Sequence, residues 1–121
     1  MKKPVYNLGD LIDRLSILTR KIYFGDEDSI SEHRHLERAL TAFGVNGKLI
    51  TNTIRITQAN IEIWNLEHEI RNGGEGNLGL EEVGRRALLI RDTNRKRVAY
   101  KNNITAIDKG FRETKINHRS G

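Results

Sequence analysis

Cysteine is absent from this chain of 121 residues, proline occurs once, and aromatic residues make up 6% of it. Without cysteine the chain forms no disulfide and no thiolate metal site. No apolar run approaches the roughly 20 residues that a membrane-spanning helix needs. The opening Met1–Pro4 also lacks the apolar core of a signal peptide. These absences are compatible with a cytoplasmic protein that has no membrane partner, which is what we expect.

Charged residues are plentiful at 31%, but they are unevenly distributed along the chain. Residues 1–79 carry 10 basic and 11 acidic side chains, whereas residues 80–121 carry 11 and 5, so the net charge of +5 comes from the last segment. A basic segment favours an anionic partner, such as a phosphate, a nucleotide, a nucleic acid or an acidic protein. A solvated basic helix would account for the same charge without any partner.

Apolar residues recur three and four positions apart through most of the chain, which is typical of α-helices that bury one face. The glycine-rich stretch 72–79 is interpreted as a linker, because a phosphate loop would need a Walker lysine between a strand and a helix. We predict an all-α, antiparallel four-helix bundle with a long C-terminal helix. It forms one domain over 1–114, followed by a disordered basic tail at 115–121. The predicted helices are 8–24, 30–43, 49–71 and 80–112.

Capping signals mark the start of the first two predicted helices. Asn7 precedes Asp10 by three residues, and Ser29 precedes Glu32 by the same spacing. A side-chain oxygen at the first position accepts a hydrogen bond from a backbone N–H of the first turn, and an acidic residue three positions later completes a capping box. We therefore expect both Asn7 and Ser29 to cap their helices.

The last predicted helix indicates self-association. At about 1.5 Å per residue it would be near 50 Å long, which exceeds what the shorter helices can cover. Leu89, Tyr100 and Ile107 form a second apolar stripe along it. A stripe of this kind favours packing against a second copy of the chain, so we expect a homo-oligomer.

Two predicted helices each carry a line of polar residues within an apolar frame. On the third helix this line lies between two isoleucine stripes, where we expect the deepest burial, and it consists of Thr53, Thr57, Asn60, Trp64, Glu67 and Arg71. On the last helix, a stripe that begins with Leu80 and Val83 becomes polar from Asn94 onward. Because buried polar groups are costly unless they are paired, these lines form either a structural network or the wall of a binding site. The candidate ligand-binding residues are Asn60, Trp64, Glu67, Asn94, Arg97 and Lys101.

These side chains suit a small anionic ligand. Arg97 offers a planar fork of donors and Lys101 a point charge, while the ring of Trp64 offers a surface on which a base or sugar can stack. The pattern therefore favours non-catalytic binding, or sequestration, of a phosphorylated ligand such as a nucleotide or nucleotide derivative in a polar pocket between helices. The structural alternative is that Glu67 pairs with Arg97 or Lys101 and holds the bundle in register with nothing bound.

Three of the predicted helices also carry short motifs: GDLIDRLSIL at Gly9–Leu18, N-x3-W-x2-E-x2-IR at Asn60–Arg71, and N-x2-R-x3-K at Asn94–Lys101. With these motifs the chain resembles an uncharacterised family of small all-helical bacterial and phage proteins, some of whose members are encoded near glycosyltransferases. The resemblance implies that Asp13 belongs with the six candidate residues. It implies no activity.

No motif of a nucleophilic or zinc-dependent enzyme is evident, and His33 and His35 do not share a helical face. The all-helical nucleotide pyrophosphatases need clustered carboxylates for Mg²⁺, but Glu62, Glu67 and Glu69 do not lie on one face. We therefore favour a binder with no cofactor and no metal. One alternative is a small chorismate-mutase-like helical enzyme, which would grip a diacid with Arg and Lys. Another is a nucleic-acid-binding or protein-interaction module built on the basic C-terminal helix.

Overall fold

The computed structural model describes residues 7–120, with side chains described for 7–71 and 78–110. Every regular element in this part of the chain is helical, which confirms the all-α class. None of the described helices combines the length and the apolar character that crossing a bilayer requires. The elements are α1 (Leu8–Tyr23), a 3₁₀ helix (Glu27–Ser29), α2 (Ile30–Thr41) and α3 (Gly47–Ser120).

The chain divides into two compact units, Met1–Arg55 and Ile56–Gly121. The single domain expected over 1–114 stays a prediction, because a compact unit need not fold independently of the rest of its chain. The tail expected at 115–121 also stays a prediction, since it lies outside the residues whose side chains are described.

Leucines from α1 and α2 form the core of the first unit. Leu11, Leu15 and Leu18 lie on one face of α1, four and three residues apart, and none is more than 2% exposed. Leu36 and Leu40 of α2 pack against them and are 3% and 0% exposed. Burying five leucines in this way stabilises the unit by about 1.5–3 kcal/mol per side chain before the conformational entropy is subtracted.

One of the two predicted helix caps is confirmed, and the other is wrong. The side chain of Asn7 accepts a hydrogen bond of 2.8 Å from the backbone N–H of Asp10. Ser29 makes no capping hydrogen bond, because a 3₁₀ turn leads into α2 and gives Ser29 itself a helical conformation. Its hydroxyl instead donates to Asp26 Oδ2 at 3.0 Å. Asp26 caps the 3₁₀ helix by accepting from the backbone N–H of Asp28 at 3.1 Å.

Where the sequence predicts two helices separated by a linker at 72–79, the backbone is assigned to one element, α3. A glycine keeps its N–H donor, so it weakens a helix less than proline does.

The axis of α3 nevertheless does not run straight through the second unit. Gly79 has a φ of 75°, which lies outside the α-helical range. The guanidinium of Arg86 contacts the carboxylate of Glu69, 17 residues earlier. On a straight helix these residues would be about 25 Å apart, far beyond the reach of two side chains. The chain therefore turns back between them.

Candidate functional site

The segment 78–110 of α3 has one side that is shielded from solvent. Thr93 is only 8% exposed, and half-buried residues recur on its side three or four positions apart, the spacing of a heptad repeat. The prediction that Leu80 begins the buried stripe is wrong. Leu80 is 81% exposed, because it lies on a different side of the helix from Thr93. This shielded side consists of Val83, Arg86, Ile90, Thr93, Arg97, Tyr100, Ile104 and Ile107.

Two residues that the sequence assigns to a partner-facing stripe, Tyr100 and Ile107, lie on this shielded side and are half-buried. The third, Leu89, lies off it and is 39% exposed. Periodicity alone could not separate these residues, because both stripes follow a helical repeat and differ only in which side meets the rest of the unit.

Arg97 is the candidate cation that the structure holds most firmly. Its Nε donates to Asn94 Oδ1 at 3.0 Å, an i to i−3 contact that fixes the plane of the guanidinium. Its two terminal nitrogens make no hydrogen bond with any described residue. Lys101 follows one helical turn later and is exposed. Asn94, Arg97 and Lys101 therefore form a continuous donor-rich edge, with Asn94 orienting the arginine.

The polar line on the third predicted helix faces solvent, contrary to the burial expected of it. Trp64 is 63% exposed, and its indole stacks on the ring of His68 with centroids 4.9 Å apart and an angle of 10° between the planes. The buried residues of this predicted helix are Thr51, Asn52, Gln58 and Ala59, at 2%, 6%, 9% and 0% exposure. In the sequence, isoleucine stripes lie on both sides of this polar line, which favoured its burial. The helix buries one side only, however, and Asn60 is exposed together with Trp64.

The candidate residues fall into two groups that no described contact joins. Asn94 and Arg97 are bonded to each other, while Glu67 Oε2 lies 3.8 Å from the guanidinium of Arg71. The Glu67–Arg97 pair considered as a structural alternative is not formed among the described residues. Trp64 lies about 140° around the helix from Glu69, which faces Arg86. It therefore does not face the segment that carries Arg86.

Arg86 forms an ion-pair cluster that the sequence did not indicate. Its side chain is 18% exposed and contacts both Glu69 and Glu82, with Nε at 3.1 Å from Glu82 Oε1. Hydrogen bonds from Arg85 and Arg86 lower the pKa of Glu82 to about 2. The i, i+4 spacing of Glu82 and Arg86 was visible in the sequence, but the contact with Glu69 depends on where the chain turns.

His33 lies at the centre of a polar network inside the first unit. It is 4% exposed, and its Nε2 lies 3.0 Å from Thr19 Oγ1 and 3.4 Å from Thr51 Oγ1. The Thr19 hydroxyl donates to the carbonyl of Leu15 at 2.7 Å, and the Thr51 hydroxyl donates to Glu37 Oε2 at 2.8 Å. Because both hydroxyl protons are committed, both oxygens act as acceptors, and Nε2 carries the ring proton. His33 thus links α1, α2 and the start of α3.

Three effects act on the pKa of His33, of which burial is the largest and the nearby charge of Arg55, which lowers the pKa, is the smallest. Burial lowers the pKa of the imidazole, and the carboxylate of Glu37, with Oε1 at 3.6 Å from Nδ1, raises it by a smaller amount. The net pKa is below the ordinary value of 6.5, so the ring is neutral at neutral pH. In this neutral ring, the Nε2–H donates to the hydroxyl oxygens of Thr19 and Thr51.

A cleft of about 690 Å³ lies between α2 and the beginning of α3, within the first unit. Three cationic side chains surround it, Arg34 and Arg38 one turn apart on α2 and Lys48 in the first turn of α3. These residues are not among the candidates predicted from the sequence, because the excess of basic residues lies beyond position 79. Glu37, Thr41, Gly44, Val45, Asn46 and Gly47 complete the lining. No protein-family model, curated protein or solved structure matches this chain.

Proposed function

We propose that the protein binds a small phosphorylated ligand, such as a nucleotide or nucleotide derivative, and sequesters it without converting it. The observation that carries the proposal is the 63% exposure of Trp64, a large aromatic side chain presented to solvent. His68 lies parallel to the indole at 4.9 Å and supports it from one side. A flat, supported ring of this kind is a surface on which a base or sugar stacks.

The phosphate would be held by Arg97 and Lys101. These two residues are four positions apart, so they lie on neighbouring turns of one helix side. Asn94 orients the guanidinium through the hydrogen bond of 3.0 Å, which reduces the conformational entropy lost on binding. Charge-assisted hydrogen bonds from arginine to phosphate are shorter and stronger than neutral ones.

Binding without turnover follows from the chemistry of the six candidate side chains, which are two asparagines, a tryptophan, a glutamate, an arginine and a lysine. Glu67 is their one carboxylate, and it pairs with Arg71. These groups can stack on, hydrogen-bond and neutralise a phosphorylated ligand. Sequestration of a signalling nucleotide is the biological role that fits such a site.

We further propose that the helices form an antiparallel four-helix bundle that assembles as a homo-oligomer, so that Trp64 of one copy and Arg97 of another serve the same ligand. The turn of the chain between Glu69 and Arg86 supports the antiparallel arrangement. Exposed leucines on α3 support the assembly, since Leu88 and Leu89 are 53% and 39% exposed. Light scattering at micromolar concentration would show a species larger than the monomer, and Leu89→Glu would shift it to the monomer. A strictly monomeric wild-type protein would contradict the assembly.

The ligand proposal is tested by a thermal-shift screen against mononucleotides, cyclic nucleotides, nucleotide sugars and ADP-ribose derivatives. A ligand present at 100 times its Kd adds about 2.7 kcal/mol to the free energy of unfolding. Trp64→Ala and Arg97→Gln should each remove the shift. Arg91→Gln is the matched control, because Arg91 is an exposed arginine of the same helix whose described partner is Asp92.

Two results would contradict the ligand proposal. One is the absence of any shift across the panel with the folded wild-type protein. The other is tight binding to generic RNA or DNA that weakens steeply with salt, because counterion release from many phosphates produces such a slope and a small ligand does not. The second result would favour a nucleic-acid-binding module on the basic helix.

A further inference from the structure

The cleft between α2 and the start of α3 is lined by cationic side chains, although residues 1–79 together carry one more acidic than basic side chain. Arg34, Arg38 and Lys48 all line it and are all exposed. None of the three forms an ion pair or a side-chain hydrogen bond with a described residue. The spacing of Arg34 and Arg38 places both guanidinium groups on one side of α2. Three cations thus face one cavity, and a single acid, Glu37, lines it with them.

The one acid in the lining is directed to other partners. Glu37 accepts from the Thr51 hydroxyl through Oε2 at 2.8 Å, and its Oε1 lies 3.6 Å from Nδ1 of His33. Its side chain is 18% exposed, in contrast to the cations around the cleft. Because both carboxylate oxygens lie against the buried network, Glu37 leaves the cleft with a net positive character.

The size of the cleft narrows the class of ligand. Its volume of about 690 Å³ lies in the range of small-molecule sites, roughly 300–1,000 Å³. Thr41 and Asn46 add polar side chains to the lining. Three positive charges around such a volume match a diphosphate group better than they match a single carboxylate, because charge-assisted hydrogen bonds from several cations converge on adjacent phosphoryl oxygens.

We infer that this cleft is a binding site for a small molecule that carries a diphosphate group, held by Arg34, Arg38 and Lys48. The inference goes beyond the proposed function, because the site lies within Met1–Arg55 and uses neither Trp64 nor Arg97. Either site can exist without the other.

Isothermal titration with inorganic pyrophosphate at constant ionic strength tests the inference. The wild-type protein should give saturable binding at one site in the cleft. Arg38→Gln should weaken the affinity about tenfold or more, the effect of losing a hydrogen bond between charged groups. Arg34→Gln/Arg38→Gln should abolish measurable binding. In amide NMR spectra of the wild-type protein, pyrophosphate should shift the signals of Gly44 and Asn46.

Matched controls separate this site from general charge effects. Arg20→Gln removes the same charge from an exposed position on α1 and should leave the affinity for pyrophosphate unchanged. Arg91→Gln, which removes an exposed charge of α3 outside both proposed sites, should also leave it unchanged. All four substitutions replace exposed or half-buried side chains, and circular dichroism verifies that each variant is folded.

The inference is overturned if wild-type protein does not bind pyrophosphate, or if Arg20→Gln weakens binding as much as Arg38→Gln does. It is also overturned if Arg97→Gln alone removes binding, because pyrophosphate would then occupy the other site. A failure of the nucleotide screen leaves this result untouched.

Discussion

Gly47, the first residue of α3, lies directly against the backbone of α2. A Cβ atom built on it would come within 2.8 Å of both the Cα and the carbonyl oxygen of Glu37. Backbone atoms cannot give way as the end of a flexible side chain can, so α2 or α3 would have to shift. Gly84, within α3, is the opposite case, since a Cβ there would meet nothing within 4 Å.

Alanine substitutions at these two glycines should have opposite effects on stability. Gly47→Ala should lower the free energy of unfolding by about 1–3 kcal/mol, the usual cost of overpacking. Gly84→Ala should raise it by up to about 1 kcal/mol, because alanine loses less backbone entropy in a helix. Urea denaturation followed by circular dichroism measures both. If Gly47→Ala stabilises the protein as Gly84→Ala does, α2 and α3 do not approach each other this closely.

The lowered pKa of His33 makes the stability of the protein depend on pH. Above about pH 6.5 the ring is neutral in both the folded and the unfolded states, and it contributes no pH dependence. As the pH falls from there towards the lower pKa of the folded state, the unfolded state takes up the proton first, so the free energy of unfolding decreases. His33→Gln should flatten this decrease in urea titrations between pH 7 and pH 5.

His35→Gln is the matched control, because His35 is an exposed histidine on the same helix. It should keep the pH dependence of the wild-type protein over this interval. Identical pH profiles for His33→Gln and the wild-type protein would show that His33 does not carry the effect.

At the scale of the helices, Arg86 connects two parts of α3 that are distant in sequence. Arg86→Met keeps most of the apolar stem but removes the cation between Glu69 and Glu82. It should lower the free energy of unfolding by about 1–3 kcal/mol, since hydrogen bonds between charged groups are lost and two carboxylates remain. Arg85→Met is the control, because Arg85 is 58% exposed and its hydrogen bonds to described side chains go to Glu82. Equal losses in the two variants would contradict a connecting role for Arg86.

The sequence correctly predicted those features that depend only on residues close together in the chain. The Asn7 cap and the leucine stripe of α1 depend on residues within one or two turns, and both are confirmed. The Ser29 cap failed because the preceding turn, and not the residue type, sets the backbone conformation at that position. The side on which Trp64 lies could not be predicted, because burial of a helix depends on its neighbours in space.

The six candidate site residues also could be predicted only in those respects that depend on neighbours in the sequence. Their residue types and helical spacing could be read from the sequence, and these suffice to propose an anionic ligand. The bond between Asn94 and Arg97 follows from an i, i+3 spacing and was within reach of sequence reasoning. The sequence could not show which side chains share a cavity, because the cleft beside Arg38 is formed by residues from two elements.

At the scale of the whole molecule, the net charge of a stretch of sequence differs from the local charge of a cleft within it. Residues 1–79 carry one more acidic than basic side chain, yet a cationic cleft lies among them. The cleft gathers three basic side chains and one acid, Glu37, whereas the acid Glu32 pairs with Arg14. The local field therefore depends on which charges remain without a partner, and composition does not contain this information.

The boundary between the two compact units falls after Arg55, inside α3 and not in a loop. Dissecting the chain there would create two new helix ends in the middle of regular structure. Each end would expose up to four backbone groups that had been hydrogen-bonded within the helix. A fragment that ended at Arg55 would also lose the cooperative support of the turns that follow. Fragments cut at this boundary would therefore fray, and each would need a capping residue engineered at its new terminus.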